Sequence, residues 1–124
     1  MDKNQIQKIT ETYAWNRQDI FVAEILKRKI NGFYVEIGSN EPTLGNNTYL
    51  LEKNYNWTGL SIDNEPEVTA RFNSLRKNKA VLADATTFDY LKYFEENNFP
   101  KQIDYLSVDV DGNFRFDGKR ERNN

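Results

Sequence analysis

The sequence predicts an α/β fold, an open three-layer sandwich with a mostly parallel sheet. Four short apolar runs, residues 33–37, 58–62, 80–83 and 103–110, alternate with segments of helical periodicity. Strands joined by crossover helices pair in parallel with right-handed connections, so the economical strand order is 3-2-1-4. This alternation is Rossmann-like. We expect the sheet to be truncated after about four strands and to be preceded by N-terminal helices.

The composition indicates one folded domain and excludes several chemistries. With 124 residues the chain is long enough for one small core, and we divide it into an N-terminal helical segment (1–31), a Rossmann-like half-domain (32–112) and a polar basic tail (113–124). Cysteine and histidine are both absent, which excludes disulfides, thiolate chemistry, imidazole bases and the usual zinc sites. No metal site is predicted.

Charge and hydropathy exclude two classes of partner. The net charge of -2, with acidic and basic residues interleaved, provides no basic field for a nucleic acid. No run approaches the roughly 18 apolar residues that span a bilayer, and the first residues lack the apolar core of a signal peptide. We therefore expect no nucleic acid, no membrane and a cytoplasmic location.

Two helices are predicted before the first strand. Ile6, Ile9 and Tyr13 share one face of the first helix. Asn16, followed by Asp19, is typical of a cap that opens the second helix. Gly32 ends this helical segment, and the strand at 33–37 follows directly.

The crossover helices are predicted at 48–53, 66–76 and after 86. Asn64 and Glu67 resemble a capping box at the start of the helix at 66–76. Thr86 or Thr87 opens the next helix, and Pro100 ends that segment. The fourth run is the best strand of the chain because its apolar and polar residues alternate with a period of two.

Small or hydrogen-bonding residues follow the first strand, where ligands bind in such sheets. These residues are Glu36, Gly38, Ser39 and Asn40. Gly38 lets a backbone approach a ligand closely, and Glu36 accepts hydrogen bonds from an ammonium group. The alternative for Gly38 is turn chemistry alone.

Carboxylates also follow the second and third strands. Asp63 has the position of the acidic residue that binds ribose hydroxyls in dinucleotide-binding folds, and the alternative is a helix cap beside Asn64. Asp84, next to the small Ala85, accepts hydrogen bonds from an exocyclic amino group, or is a solvated loop residue.

After the fourth strand, Asp109 and Asp111 precede Gly112. Two close carboxylates steer a cationic ligand or hold a divalent ion, unless one of them caps the next turn. Acidic residues thus recur at the tips of four successive strands. Chance placement at every tip is improbable if the strand assignments hold, which favours a shared ligand site.

The chain resembles a known family in several of these segments. The stretch GFYVEIGSNEPTLGNNTYLLEKNYNWTGLSID, residues 32–63, resembles the opening of the FkbM-type methyltransferases, a branch of the class I S-adenosylmethionine-dependent family. Residues 17–21 resemble the lead-in of that family, and IDYLSVDVDG, residues 103–112, resembles its fourth strand. The similarity covers about 95 residues, from near position 15 to position 112.

The resemblance implies an S-adenosylmethionine site and assigns roles to five residues. By it, Glu36 and Gly38 contact the methionine part of the cofactor, Asp63 contacts the ribose, and Asp84 contacts the adenine. Asp109 is implied to lie near the sulfonium or the methyl acceptor.

The remaining predicted cofactor-site residues flank these five. By the resemblance, Asn47 matches a family position that shapes the pocket, and the other flanking residues are Ser39, Asn40, Asn64 and Ala85. Without histidine, the base for a hydroxyl acceptor is predicted to be Asp109 or Asp111.

The chain departs from the family after the fourth strand. The family usually has glutamate where Asp111 stands, and residues 113–124 do not resemble it. The further strands that complete the sheet in that family are not expected here. The unpaired edge of the fourth strand then needs a cover. The candidates are a tail strand containing Phe114 and Phe116, a second copy of the chain or a partner chain, unless the chain is a fragment that aggregates.

Three functions are consistent with these features. The first is a methyltransferase that acts on a small-molecule or sugar hydroxyl. The second is a binding module or subunit that keeps the cofactor site but lacks the acceptor pocket. The third, a nicotinamide-binding domain, is disfavoured because Gly38 and Gly45 do not form a G-x-G-x-x-G run.

Overall fold

A computed structural model describes residues 8–109 as four helices and four strands. In chain order they are α1 (Gln18–Ile25), β1 (Phe33–Ile37), α2 (Tyr49–Tyr55), β2 (Thr58–Asp63), α3 (Pro66–Leu75), β3 (Ala80–Leu82), α4 (Tyr90–Glu96) and β4 (Tyr105–Val108). None of these helices is long and apolar enough to cross a membrane.

The four strands form one parallel sheet in the order β3-β2-β1-β4. In its register, Val35 of β1 lies opposite Leu60 of β2 and Leu106 of β4. The predicted α/β class and strand order are therefore confirmed. Strand β4 is shorter than predicted, since Ile103 and Asp104 precede it and residue 110 lies outside the described residues.

One face of the sheet carries the core that supports α1 and α2. Tyr34 is fully buried there and packs with Val22 and Ala23 of α1, Leu51 of α2 and Trp57. Because side chains alternate along a strand, Glu36 lies on the same face as Tyr34. This face therefore becomes polar toward the carboxyl end of β1.

The opposite face packs on α4 and is only partly covered. The ring of Phe33 lies 5.5 Å from that of Phe94 and 5.1 Å from that of Phe99, between ring centroids. Beyond these rings, Val35 and Leu106 line an apolar cavity of about 840 Å³, and Leu106 is 55% exposed. None of the predicted site residues within 8–109 lines this cavity.

Within the described residues, β4 is an edge strand, as the sequence predicts. Which segment or chain covers the edge of β4 stays a prediction, because Phe114 and Phe116 lie outside the described residues. Because an exposed edge beside an apolar face favours association, light scattering of the full chain should give the mass of a dimer unless residues after β4 pair with it. A monomer whose amides 110–124 exchange freely with solvent would contradict both forms of cover.

The predicted first helix is wrong over the described residues. Residues 8–13 form no helix because the carboxylate of Asp19 binds the chain ahead of it. Asp19 accepts hydrogen bonds from the Tyr13 amide (2.8 Å), the Ala14 amide (3.2 Å) and the Thr12 hydroxyl (2.6 Å). The residue that precedes helix α1 is Arg17, whose backbone is in the left-handed conformation. Asn16 is therefore not the cap of this helix. Ile6 lies outside the described residues.

Two predicted helix starts are also corrected. Asn64 and Glu67 form no capping box, because Glu65 precedes α3 and the Asp63 side chain accepts the Glu65 amide at 3.0 Å. Helix α4 begins at Tyr90, behind an Asp89 cap that accepts the Lys92 amide. Thr86 and Thr87 belong instead to a turn after β3.

Candidate functional site

The carboxyl ends of the four strands meet at one edge of the sheet. Backbone hydrogen bonds connect each tip to the next, from the Ala83 amide to the Asp63 carbonyl (2.9 Å), from the Gly38 amide to the Ile62 carbonyl (2.8 Å) and from the Asp109 amide to the Ile37 carbonyl (2.8 Å). Strand order reverses between β1 and β4, because β2 and β4 flank β1 on opposite sides. Ligands of open α/β sheets bind at this switch point, which makes the crevice there the candidate site.

The loop that joins β1 to α2 borders this crevice. It begins at Gly38, whose φ of 85° is a left-handed conformation that glycine adopts without a steric cost. Asn40 is also left-handed, with φ 48°. The Asn40 side-chain amide donates to the Asp109 carbonyl at 3.1 Å and so connects the tips of β1 and β4.

Asp63 connects the tip of β2 to the same loop. The residue is 8% exposed, and its Oδ2 accepts hydrogen bonds from the amides of Ser39 (3.1 Å) and Asn40 (3.3 Å) and from the Ser39 hydroxyl (3.3 Å). Its Oδ1 accepts the Glu65 amide at 3.0 Å. A carboxylate oxygen has two acceptor positions, and the Glu65 amide takes one of those on Oδ1. The structure therefore gives Asp63 a structural role besides the predicted ribose contact.

Glu36 lies beneath the loop, 2% exposed. Its Oε1 accepts the Ser61 hydroxyl at 2.7 Å, and its Oε2 accepts the Asn46 side-chain amide at 3.2 Å. Burial raises the pKa of the Glu36 carboxyl to about 7, although the hydrogen bond from Ser61 and the charge of Arg76 oppose that rise. The predicted contact of Glu36 with a ligand ammonium group stays a prediction.

Asn47 faces β4 from the start of α2. Its side chain is nearly buried, and its amide nitrogen lies 3.4 Å from the Ser107 hydroxyl. Ser107 is the β4 partner of Glu36 in the sheet register. The structure thus places Asn47 beside β4, and its role in shaping a pocket stays a prediction.

Asp84 and its neighbours form a compact turn after β3. The exposed Asp84 accepts the amide (2.8 Å) and the hydroxyl (2.6 Å) of Thr86 through Oδ1, and these bonds lower its pKa. The Tyr90 hydroxyl donates to the Ala85 carbonyl at 2.8 Å and ties α4 to the turn. Asp84 thus shares the edge of the sheet with Asp63, to which the backbone of the neighbouring Ala83 is bonded.

Besides Glu36, Gly38 and Asn47, the predicted site residues divide into three groups. Ser39, Asn40 and Asp63 contact one another directly, and Asn40 also contacts the backbone of Asp109. Asn64, Asp84 and Ala85 lie on the same edge of the sheet. Asp109 is exposed at the tip of β4, and Asp111 lies outside the described residues. Within the described range, no three acidic side chains are grouped to hold a metal ion.

The sequence reasoning missed two buried residues that hold the loop. The guanidinium of Arg76, at the end of α3, donates to Asn46 Oδ1 (3.0 Å), the Pro42 carbonyl (2.8 Å) and the Tyr34 hydroxyl (3.0 Å), and it pairs with Glu52 at 3.0 Å. Asn46 Oδ1 also accepts the amides of residues 48 and 49 at the start of α2. An asparagine just before a helical pattern is a cap signal that was available in the sequence.

Comparisons of this chain with protein-family models, with curated proteins and with solved structures found no match. The function must therefore be argued from the geometry of the crevice and from the chemistry of its side chains.

Proposed function

We propose that the chain binds S-adenosylmethionine in the crevice at the strand tips and is the cofactor-binding part of an FkbM-type methyltransferase that acts on a small-molecule or sugar hydroxyl. The observation that carries the proposal is the set of hydrogen bonds between Asp63 and the loop after β1. There, one carboxylate fixes Ser39 and Asn40 and keeps an acceptor position on Oδ1. A ribose hydroxyl is a donor of the kind this position accepts.

The crevice suits a cationic, hydroxyl-rich ligand better than a polyphosphate. The acidic residues at the strand tips, Asp63, Asp84 and Asp109, repel phosphate groups. They accept hydrogen bonds from ribose hydroxyls and amino groups and attract the positive charge of a sulfonium. This chemistry supports S-adenosylmethionine over a nicotinamide dinucleotide.

The residues of this chain would contribute positioning and one proton acceptor. S-adenosylmethionine, when bound, supplies an electrophilic methyl group. In-line positioning of the acceptor hydroxyl is the main requirement of the transfer. A carboxylate, Asp109 or Asp111, would accept the hydroxyl proton as the oxygen–methyl bond forms and the sulfur–methyl bond breaks, with S-adenosylhomocysteine as the leaving group. A cytoplasmic location is part of the proposal.

S-adenosylmethionine and its demethylated product should raise the melting temperature of the chain. A ligand specific to the native state at a hundredfold excess over Kd adds about 2.7 kcal/mol, which corresponds to a shift on the order of 10 °C in a domain of this size. Differential scanning fluorimetry and calorimetric titration measure it. Asp63→Ala should abolish most of this increase, because it removes both the ribose acceptor and the support of the loop.

Asp104→Ala is the matched control for that variant. Asp104 also binds a backbone amide, that of Phe33 at 2.9 Å, but at the start of β1, and it pairs with Lys29. It should lower the melting temperature of the free chain and leave the ligand-induced increase intact. No increase in the wild-type chain, or an increase with a nicotinamide dinucleotide instead, would overturn the proposal.

The alternative is a binding module without catalysis. The edge position of β4 favours this alternative, because the described residues provide no strand beyond β4 that could form one side of an acceptor pocket. Transfer of a labelled methyl group to sugars or small hydroxylated compounds would identify the enzyme. Tight cofactor binding without transfer to any acceptor, in the full chain, is the result expected of the module.

A further inference from the structure

Two side chains hold the loop between β1 and α2. One of them binds backbone amides of the loop, and the other binds backbone carbonyls. Residues 39–41 belong to no helix or strand, so their amides and carbonyls need other partners. Asp63 takes the amides of Ser39 and Asn40. The Asn46 amide nitrogen donates to the Ser39 carbonyl (3.2 Å) and to the Glu41 carbonyl (2.9 Å). The conformation of this segment thus depends on both side chains.

The orientation of the Asn46 amide is fixed by its other partners. Its Oδ1 faces only donors, namely the Thr48 amide (2.8 Å), the Thr48 hydroxyl (2.9 Å), the Tyr49 amide (2.8 Å) and the Arg76 guanidinium (3.0 Å). The nitrogen must therefore face the carbonyls and Glu36, which are acceptors. If the amide were flipped, its nitrogen would face these donors and its oxygen would face these acceptors, so neither atom could form the hydrogen bonds.

We propose that Asn46 is a positioning residue for the cofactor, because it fixes segment 39–41 in the conformation that lines the crevice. This inference rests on the proposed function. Asn46 is buried and acts through the backbone of Ser39 and Glu41. Its Oδ1 binds the amides at the start of α2, whereas its Nδ2 binds the loop carbonyls. A substitution that keeps one set of hydrogen bonds and removes the other can therefore separate them.

Asn46→Ser makes that separation. A serine hydroxyl can accept the amides of residues 48 and 49 in place of Asn46 Oδ1, but serine has no amide nitrogen to donate to two carbonyls. If the loop then keeps its conformation in a tenth of the molecules or fewer, the affinity for S-adenosylhomocysteine falls about tenfold or more. Calorimetric titration well below the melting temperature measures this affinity. Hydrogen exchange of the Ser39 and Asn40 amides should accelerate in the same variant.

Asn73→Ser is the matched control. Asn73 also joins two elements through its side-chain amide, since its nitrogen donates to the Ala80 carbonyl (3.0 Å) and its oxygen accepts the Ala80 amide (2.7 Å). These two hydrogen bonds connect α3 to the start of β3, away from the crevice. Asn73→Ser should lower the melting temperature without changing the affinity or the exchange of the loop amides.

The outcomes are distinguishable. Wild-type binding with a large loss in Asn46→Ser only, together with faster loop exchange, supports the inference. Wild-type affinity in Asn46→Ser, or an equal loss in Asn73→Ser, overturns the inference and leaves the proposed function standing. A wild-type chain that binds neither S-adenosylmethionine nor S-adenosylhomocysteine overturns both.

Discussion

Replacement of Arg76 by methionine should lower the free energy of unfolding by about 3–5 kcal/mol, the usual cost of breaking a buried ion pair from one side. Arg76 Nε lies 3.0 Å from Glu52 Oε1, and both side chains are almost completely buried. Methionine fills part of the space of the arginine stem but donates no hydrogen bond. Glu52 would then remain as a buried charge without its cation, and Pro42 and Tyr34 would lose a donor. Urea unfolding followed by the fluorescence of the buried Trp57 measures the loss.

Arg71→Met is the control for this measurement. Arg71 pairs with Glu41 at 3.5 Å, but both side chains are 61% exposed, so the change should stay within about 0.5 kcal/mol. Adding Glu52→Gln to Arg76→Met should recover part of the loss, because the uncompensated charge is removed. Similar losses in the two methionine variants would contradict the assignment of Arg76 as the centre of the buried network.

The strands and their order could be predicted because the signals for them are local. A short apolar run such as 33–37 identifies a buried strand, and the right-handed crossover rule then leaves few arrangements. The residues at the strand tips follow from the same assignment. Ser39, Asn40 and Asp63 were expected near one another for this reason, and they are in contact.

The buried network could not be predicted in the same way because its contacts are not local. Arg76 ends an amphipathic helix, a position where a basic side chain is normally solvated. Its partners Glu52 and Tyr34 lie 24 and 42 positions away in the sequence. Periodicity gives no information about such pairs. The same limit explains the N-terminal error, where Asp19 draws residues 12–14 out of the helix that Ile9 and Tyr13 suggest.

The free energy of unfolding should fall by about 3 kcal/mol as the pH rises from about 4.5 to above 7, because Glu36 has a pKa of about 7 in the folded chain against an ordinary value of 4.5. Between these values the unfolded chain has lost the proton that the native state keeps, so the native state binds more protons and stability decreases with pH. The stabilisation is fully present below pH 4.5 and is lost as the pH passes through about 7.

The surroundings of Glu36 explain why its pKa is raised. Arg76 favours the ionised form from the end of α3, as do the hydrogen bonds from Ser61 and Asn46. Tyr34 and Tyr105 flank it from β1 and β4, and burial raises the pKa of both hydroxyls. Desolvation of Glu36 outweighs the Arg76 charge because the carboxyl is completely enclosed.

The chain has no histidine, the side chain whose ordinary pKa lies in this range, and this makes the test more specific. The pKa values of Glu11, Asp84 and Asp104 are lowered, so these groups titrate at more acidic pH. Urea unfolding at a series of pH values between 5 and 8, in the wild type and in a Glu36 variant, measures the contribution of Glu36.

Glu36→Gln should remove this dependence on pH. A glutamine at this position fits the same partners, since its nitrogen can donate to the Ser61 hydroxyl oxygen and its oxygen can accept the Asn46 amide. Glu24→Gln is the control, because Glu24 pairs with Arg28 on the surface and should keep the wild-type slope. A wild-type stability that rises with pH between 5 and 7.5, or an unchanged slope in the Glu36→Gln variant, would show that Glu36 is ionised in the folded chain. Its hydrogen bonds with Ser61 and Asn46 would then hold a buried charge rather than a neutral acid.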